Sequence, residues 1–212
     1  HKNQKVGTFG DAAVFSFYPN KQMTTGEGGI IVTSDKKIDS LCRSLRNQGR
    51  SENRQWLDHE RLGYNYRMHE LSAAIGVAQL KKLPKIIEER RKIAALYSEE
   101  LKKHADLVSS PQVHPRNTHS WFVYVARINN SAIDRDKVIE KLTEIGIATK
   151  PYLPSIHLFD FYRRSFGFKE GDFPVSEAAS DSSIALPFYI GLEKSDIEYI
   201  CQKLAEVLKN SL

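Results

Sequence analysis

The chain has 212 residues, 41% hydrophobic and 27% charged, a balance that excludes a disordered polymer and allows a core of useful size. Its formal net charge of +5 suits anionic ligands such as phosphates without demanding nucleic acid. No apolar stretch approaches the ~20 residues of a membrane span, and Cys42 and Cys201 form no C-x-x-C or Cys/His cluster, so no membrane segment and no metal site is expected.

The chain opens at His1 with the polar stretch HKNQKVGTFGDA, with no methionine and no helix cap, and looks like a cut into a longer protein. Residues Ala12 to Tyr18, AAVFSFY, form a short apolar run rich in β-formers, which predicts a buried strand. Lys21 and the turn-prone TTGEGG follow, then GIIVTSD as a second strand. The pair makes a hairpin-like unit with Lys21 at one end. Asp35 is placed to cap a helix whose apolar face is Ile38, Leu41, Cys42 and Leu45, and Gly49 stops it. Both cysteines are expected as buried thiols of a reducing, cytoplasmic setting.

Residues 49–67 are polar and irregular and hold Arg50, Arg54, Arg61, Trp56 and the GYNYR run; loops of this kind tend to carry function. The period predicts a helical tract from His69 to about His104, broken or kinked at Pro84. Its small residues, SAAIGVA, allow close packing against another element. Arg90, Arg91 and Lys92 alternate with Glu88 and Glu89, the pattern of a solvated helix face with mixed-sign pairs rather than a nucleic-acid patch. Beyond it, WFVYVARI is a strand, Asp134 to Ile145 a helix, IATKPYLP an extended segment, and Ile184 to Phe188 a further strand. Ser195 is expected to cap a last helix with Glu198 in its capping box. Strands alternating with helices argue for a small α/β unit in the second half.

The feature most suggestive of chemistry is SFYPNKQMTTGEGG. A lysine held against desolvating walls just past a strand end loses part of its preference for the charged form, and the neutral amine can attack a carbonyl to make a Schiff base. Ser16 offers a hydroxyl for a phosphate, and Gly26, Gly28 and Gly29 permit backbone conformations closed to other residues. On spacing alone, an exposed turn lysine is the stronger reading.

The runs GDAAVFSFYPNKQMTTGEGGIIVTSD, RLGYNYRMHELSAAIGVAQLKKL, KPYLPSIHLFDFY and ALPFY resemble, in order and spacing, the DegT/DnrJ/EryC1/StrS family of sugar aminotransferases, and they cover nearly the whole chain. The resemblance implies an α/β fold, the C-terminal portion of a type I pyridoxal-phosphate transferase. Residues 1–104 would then belong to the large cofactor-binding domain and 105–212 to a small α/β subdomain. It also implies pyridoxal 5'-phosphate as cofactor, glutamate as amino donor, a nucleotide-linked keto-sugar as acceptor, and a homodimer with shared active sites.

Carried over residue by residue, Lys21 matches the family's Schiff-base and proton-transfer lysine; relatives with histidine there are dehydratases. Ser16 matches the phosphate-binding serine, and Asn65 the asparagine that reaches the cofactor phosphate of the neighbouring subunit. Arg67 is placed to hold that loop or an anionic group. His157 and Tyr162 lie where relatives contact the nucleotide-sugar, in a stretch similar to that of relatives making 4-amino-4,6-dideoxy sugars for surface polysaccharide. His69 and Asp160 depart from the family's pattern of a small hydroxyl residue and a proline. The family's acidic partner for the pyridine nitrogen and its ring-stacking aromatic lie upstream of the matched region, so these 212 residues alone are expected to be inactive. The alternative is a non-catalytic regulatory or dimerisation module of the same family.

Overall fold

The computed structural model describes residues 1–51 and 58–211. Arg54 and Trp56, singled out above, lie outside the described residues. The chain divides into two compact units, residues 1–86 with 114–118 and residues 87–113 with 119–212.

In unit 1, β1 (Ala12–Ser16) and β2 (Gly29–Thr33) pair antiparallel, with Ala12 opposite Thr33 and Ser16 opposite Gly29. The expected buried strand is corrected here: Val14 is 73% and Ile31 50% exposed. An apolar run records what a strand is suited to bury, and among the described residues of this unit nothing covers these two side chains.

Helix α1 (Lys36–Arg46) starts where expected: the Asp35 carboxylate accepts from the amides of Lys37 at 2.7 Å and Ile38 at 3.3 Å, satisfying two of the orphan donors of the first turn. Its C-cap is Asn47, and Gly49 at φ +75° turns the chain away. Cys42 is half-exposed rather than buried, because it lies toward the edge of the helix's apolar stripe.

Helix α2 runs unbroken over Glu70–Lys102, through Pro84, so of the break or kink expected there the break is absent. Proline removes one amide and crowds the carbonyl four residues back. Here both Pro84 and Leu80 are exposed, and water can serve the freed carbonyl.

Unit 2 is built on a four-stranded antiparallel sheet in the order β3 (Val108–Ser109), β4 (Tyr124–Ile128), β6 (Ser183–Leu186), β5 (Lys150–Pro151). Helices α3 (Arg135–Glu144), α4 (Asp160–Phe166), α5 (Pro174–Ser182) and α6 (Lys194–Lys209) join it. Asp134 caps α3 as its sequence requires. The cap of α6 is Glu193, paired with Asp196 in a reciprocal capping box, and not Ser195. Helix assignment from periodicity places ends only to within a turn, and here the earlier acidic pair satisfies the first amides.

The core of unit 2 contains Tyr97, Tyr124, Leu142, Ile184, Ile197 and Leu204, each at 0% exposure. Burying a side chain of this size contributes about 1.5–3 kcal/mol, so this cluster dominates the stability of the unit. Tyr97 stacks on Tyr124 with ring centroids 4.9 Å apart, and its hydroxyl donates to the Pro187 carbonyl at 2.7 Å. Mixed-sign pairing on α2 is present, with Lys92 at 2.9 Å from Glu89 and 3.3 Å from Glu88. No helix among the described residues is long and apolar enough to cross a membrane.

Candidate active site

Lys21 is half-buried and follows a turn in which its own amide donates to the Tyr18 carbonyl at 3.0 Å. The loop that carries it is fastened at both ends. The Phe17 amide donates to Gly28 O at 2.9 Å, and the Phe17 carbonyl receives both the Thr25 amide at 3.1 Å and the Thr24 hydroxyl at 3.0 Å. Thr24 Oγ1 also accepts from the Gly26 amide, and the Thr25 hydroxyl donates to Glu27 O at 2.7 Å. Thr25 is only 2% exposed. A Cβ at Gly28 would stand 2.5 Å from Thr25 Oγ1, and one at Gly29 2.9 Å from the Phe15 carbonyl oxygen, so side chains here would force the loop off the ribbon. Sequence reasoning noted TTGEGG as a turn and missed the two threonines as its fasteners; hydroxyl residues directly before glycine are the signal that could have found them.

The small residues of α2 meet this loop. A Cβ at Gly76 would come within 2.9 Å of Thr25 Cγ2, which identifies the close-packing partner that SAAIGVA calls for.

Ser16 closes β1 and is exposed, with its Oγ accepting from the Tyr18 amide at 3.3 Å. The GYNYR segment is held against the end of α1: the Tyr64 amide donates to Leu45 O at 2.6 Å, the Tyr66 amide to Arg46 O at 2.8 Å, and Asn65 bridges Asn47. Asn65 and Arg67 are exposed, and Arg67 Nη1 donates to Asn47 Oδ1 at 2.8 Å. Tyr64 and Tyr66 stack at 4.9 Å. Gly49 and Gly63 make this approach possible, since a Cβ on Gly49 would fall 1.8 Å from the Arg61 carbonyl oxygen and one on Gly63 2.1 Å from the Gly49 nitrogen.

His157 and Tyr162 lie in unit 2. His157, 9% exposed, has Nε2 at 2.9 Å from Glu177 Oε1 and its ring edge-on to Phe173 at 4.8 Å. Tyr162 is half-buried within an aromatic run, 4.2 Å from Phe161 and 5.9 Å from Phe166 between ring centroids. The same unit has a cleft of about 520 Å³ lined by Asp134, Asp136, Glu177 and Asp181 around Arg135. The Arg135 guanidinium pairs with Asp136 at 2.6 Å and donates to the carbonyls of Ser180 and Ser183, each at 2.8 Å, and that cleft holds none of the candidate site residues drawn from the sequence. Among the described residues no cluster of His, Cys, Asp and Glu could hold a metal ion.

A lysine fastened at the end of an antiparallel ribbon, with a serine at the strand end and an asparagine loop bound to the next helix, is an arrangement suited to a carbonyl-bearing, phosphorylated cofactor. Residues 1–205 match the DegT/DnrJ/EryC1/StrS aminotransferase family, and the chain belongs to that family. It is 37% identical over 203 residues to the GDP-perosamine synthase of Vibrio cholerae, covering 93% of this chain and 53% of that protein. It is 33% identical over 210 residues to the GDP-perosamine synthase of Caulobacter vibrioides, covering 98% and 55%. The aminotransferase TlmJ from Streptoalloteichus hindustanus superimposes with a TM-score of 0.87 at 27% identity, over 99% of this chain and 55% of that structure. The fold is thus the mixed α/β fold of pyridoxal-phosphate aminotransferases. The chain spans about half the length of the curated relatives it matches.

The donor set of unit 1 fits the cofactor that this family implies. Lys21 would supply an amine for its aldehyde, Ser16 a hydroxyl and Asn65 an amide for phosphate oxygens. The glycine-lined contacts at Gly28 and Gly29 keep the lysine loop close to the strand that ends in Ser16.

Proposed function

We propose that the protein to which this chain belongs is a pyridoxal-phosphate-dependent aminotransferase that moves an amino group from glutamate to a nucleotide-linked keto-sugar, in the biosynthesis of a surface glycan. The observation that carries the reading is Lys21, half-buried at the ribbon end on a loop fastened through Thr24 and Thr25, in a chain of this family.

In this reading the Lys21 amine would hold the cofactor through its aldehyde, and its Nζ would carry a proton between the donor carbon and the cofactor. Pyridoxal phosphate supplies the electron sink for that step. Ser16 binds the phosphate of the same site, and Asn65 that of the partner subunit in a homodimer. His157, Tyr162 and Arg67 bind the nucleotide-sugar, with residues 1–104 serving as part of the large domain and 105–212 as the small one. The reading holds that the 212 residues by themselves do not catalyse transfer.

The test is spectroscopic. Full-length protein supplied with pyridoxal phosphate is expected to show the visible band of a lysine-linked cofactor, bleached by glutamate, and Lys21→Ala is expected to lose both the band and amino transfer. A Lys21→Ala protein whose spectrum matches the wild type would refute the assignment.

A further inference from the structure

Arginines gather where α1 ends. Arg43 and Arg46 occupy its last turn, Arg50 follows the Gly49 turn, and Arg67 is brought to them by the stitching of the GYNYR backbone onto Leu45 and Arg46. With Ser44 and Ser51 they line a cleft of about 400 Å³ that no described carboxylate lines. Asp39, one turn back on α1, pairs with Arg43 at 2.9 Å. Arg46, Arg50 and Arg67 have no carboxylate at ion-pair distance among the described residues.

Cations in a helix's last turn interact favourably with its carbonyl end, and that accounts for Arg43 and Arg46. It does not account for two buried groups at the same cleft. Among the described residues, Arg50 Nε and the hydroxyl of Ser51, a residue 6% exposed, have no hydrogen-bond partner. Buried polar groups in native proteins are nearly always paired, and leaving one unpaired is costly. Both residues line the cleft, and an oxyanion there relieves the mutual repulsion of the guanidinium groups. Planar guanidinium forks match phosphate oxygens in shape as well as charge.

We propose that this cleft is a binding site for a phosphate-class oxyanion, held by Arg46, Arg50 and Arg67 with the Ser51 hydroxyl as an additional donor. The inference extends the role given above to Arg67 and stands without Lys21.

Calorimetric titration of the full-length protein, already loaded with pyridoxal phosphate so that the cofactor's own phosphate position is filled, tests it. Inorganic diphosphate and a nucleoside diphosphate are the probes. Saturable binding is expected, weakened about ten-fold or more by Arg50→Gln and measurably by Ser51→Ala, while Lys137→Gln, which removes a charge 73% exposed elsewhere, leaves it unchanged. Should Arg50→Gln not fold, Ser51→Ala carries the test. Equal affinity for the two probes supports a free anion as ligand, and tighter binding of the nucleoside diphosphate supports a nucleotide's diphosphate; both uphold the site. Absence of saturable binding, or binding indifferent to both cleft substitutions, overturns it. Because the lysine-linked cofactor band is recorded separately, failure here leaves the proposed transferase standing, and loss of the band with anion binding intact has the opposite meaning.

Discussion

Oε1 of Glu177 lies 2.9 Å from Nε2 of His157, with the two side chains 14% and 9% exposed. The same carboxylate accepts from the Gly171 amide at 2.9 Å and the Phe173 amide at 3.0 Å. It therefore holds the 171–173 turn and the histidine together.

The Gly171 amide, followed by that of Phe173 and by His157, holds the Glu177 carboxyl below the usual carboxylate range. A depressed folded pKa means that its contribution to stability is complete above the unfolded value, about 4.3, and is lost as pH falls through the folded value. Glu177→Gln, with one acceptor oxygen in place of two, is expected to melt a few degrees lower at neutral pH and to lose less on acidification. Melting temperature against pH measures this; parallel curves for the two proteins would count against the assignment.

Burial pushes the Tyr97 phenol well above its ordinary range, so it stays a neutral donor to Pro187 O. Tyr97→Phe leaves that buried carbonyl without its partner and is expected to cost about 1–3 kcal/mol, read from urea unfolding of the full-length protein. An unchanged midpoint would show that the carbonyl finds another donor.

The two cysteines should separate in a thiol titration. Cys201 is 1% exposed and its thiol is pushed up to about 12, chiefly by burial and then by Glu100. Cys42 is half-exposed. Ellman's reagent is expected to label Cys42 in the native protein and Cys201 only after denaturation, since the thiolate is the reactive form. Native-state labelling that survives Cys42→Ser would contradict this.

Gly49→Ala combines a left-handed φ of +75° with a Cβ 1.8 Å from the Arg61 carbonyl oxygen. The backbone strain alone is worth about 1–2 kcal/mol, and the contact adds to it. The variant is expected to lose thermal stability and to weaken anion binding at the arginine cleft, whereas Gly146→Ala, at a similar φ but with nothing within 4 Å of its Cβ, should show a smaller loss of stability and normal binding.

The sequence exposed those features whose cause is local. Asp35 and Asp134 announce their helices because a carboxylate beside free amides is a contact between near neighbours, and the β1–β2 pairing follows from two apolar runs around a glycine turn. What depends on distant partners was not legible. Nothing in AAVFSFY tells whether its side chains are covered, and the exposure of Val14 had to be seen. The short helices α4 and α5 were missed because the aromatic residues of α4 pack on one another and α5, PVSEAASDS, has too few large apolar residues to show a helical period. At the candidate site, Lys21, Ser16 and Asn65 were picked out through family motifs. The arginine cleft was not, because Arg43, Arg46, Arg50 and Arg67 converge only when the 64–66 backbone lies along the end of α1.

The bare β1–β2 ribbon decides how this polypeptide behaves in the test tube. Oily side chains such as Val14 and Ile31 stand open to water on a pair of strands whose outer edges pair with no other described strand, the combination that drives chains to stick to each other. Preparations of these 212 residues alone should clump in proportion to concentration, and a charged replacement at Val14 should keep them dispersed.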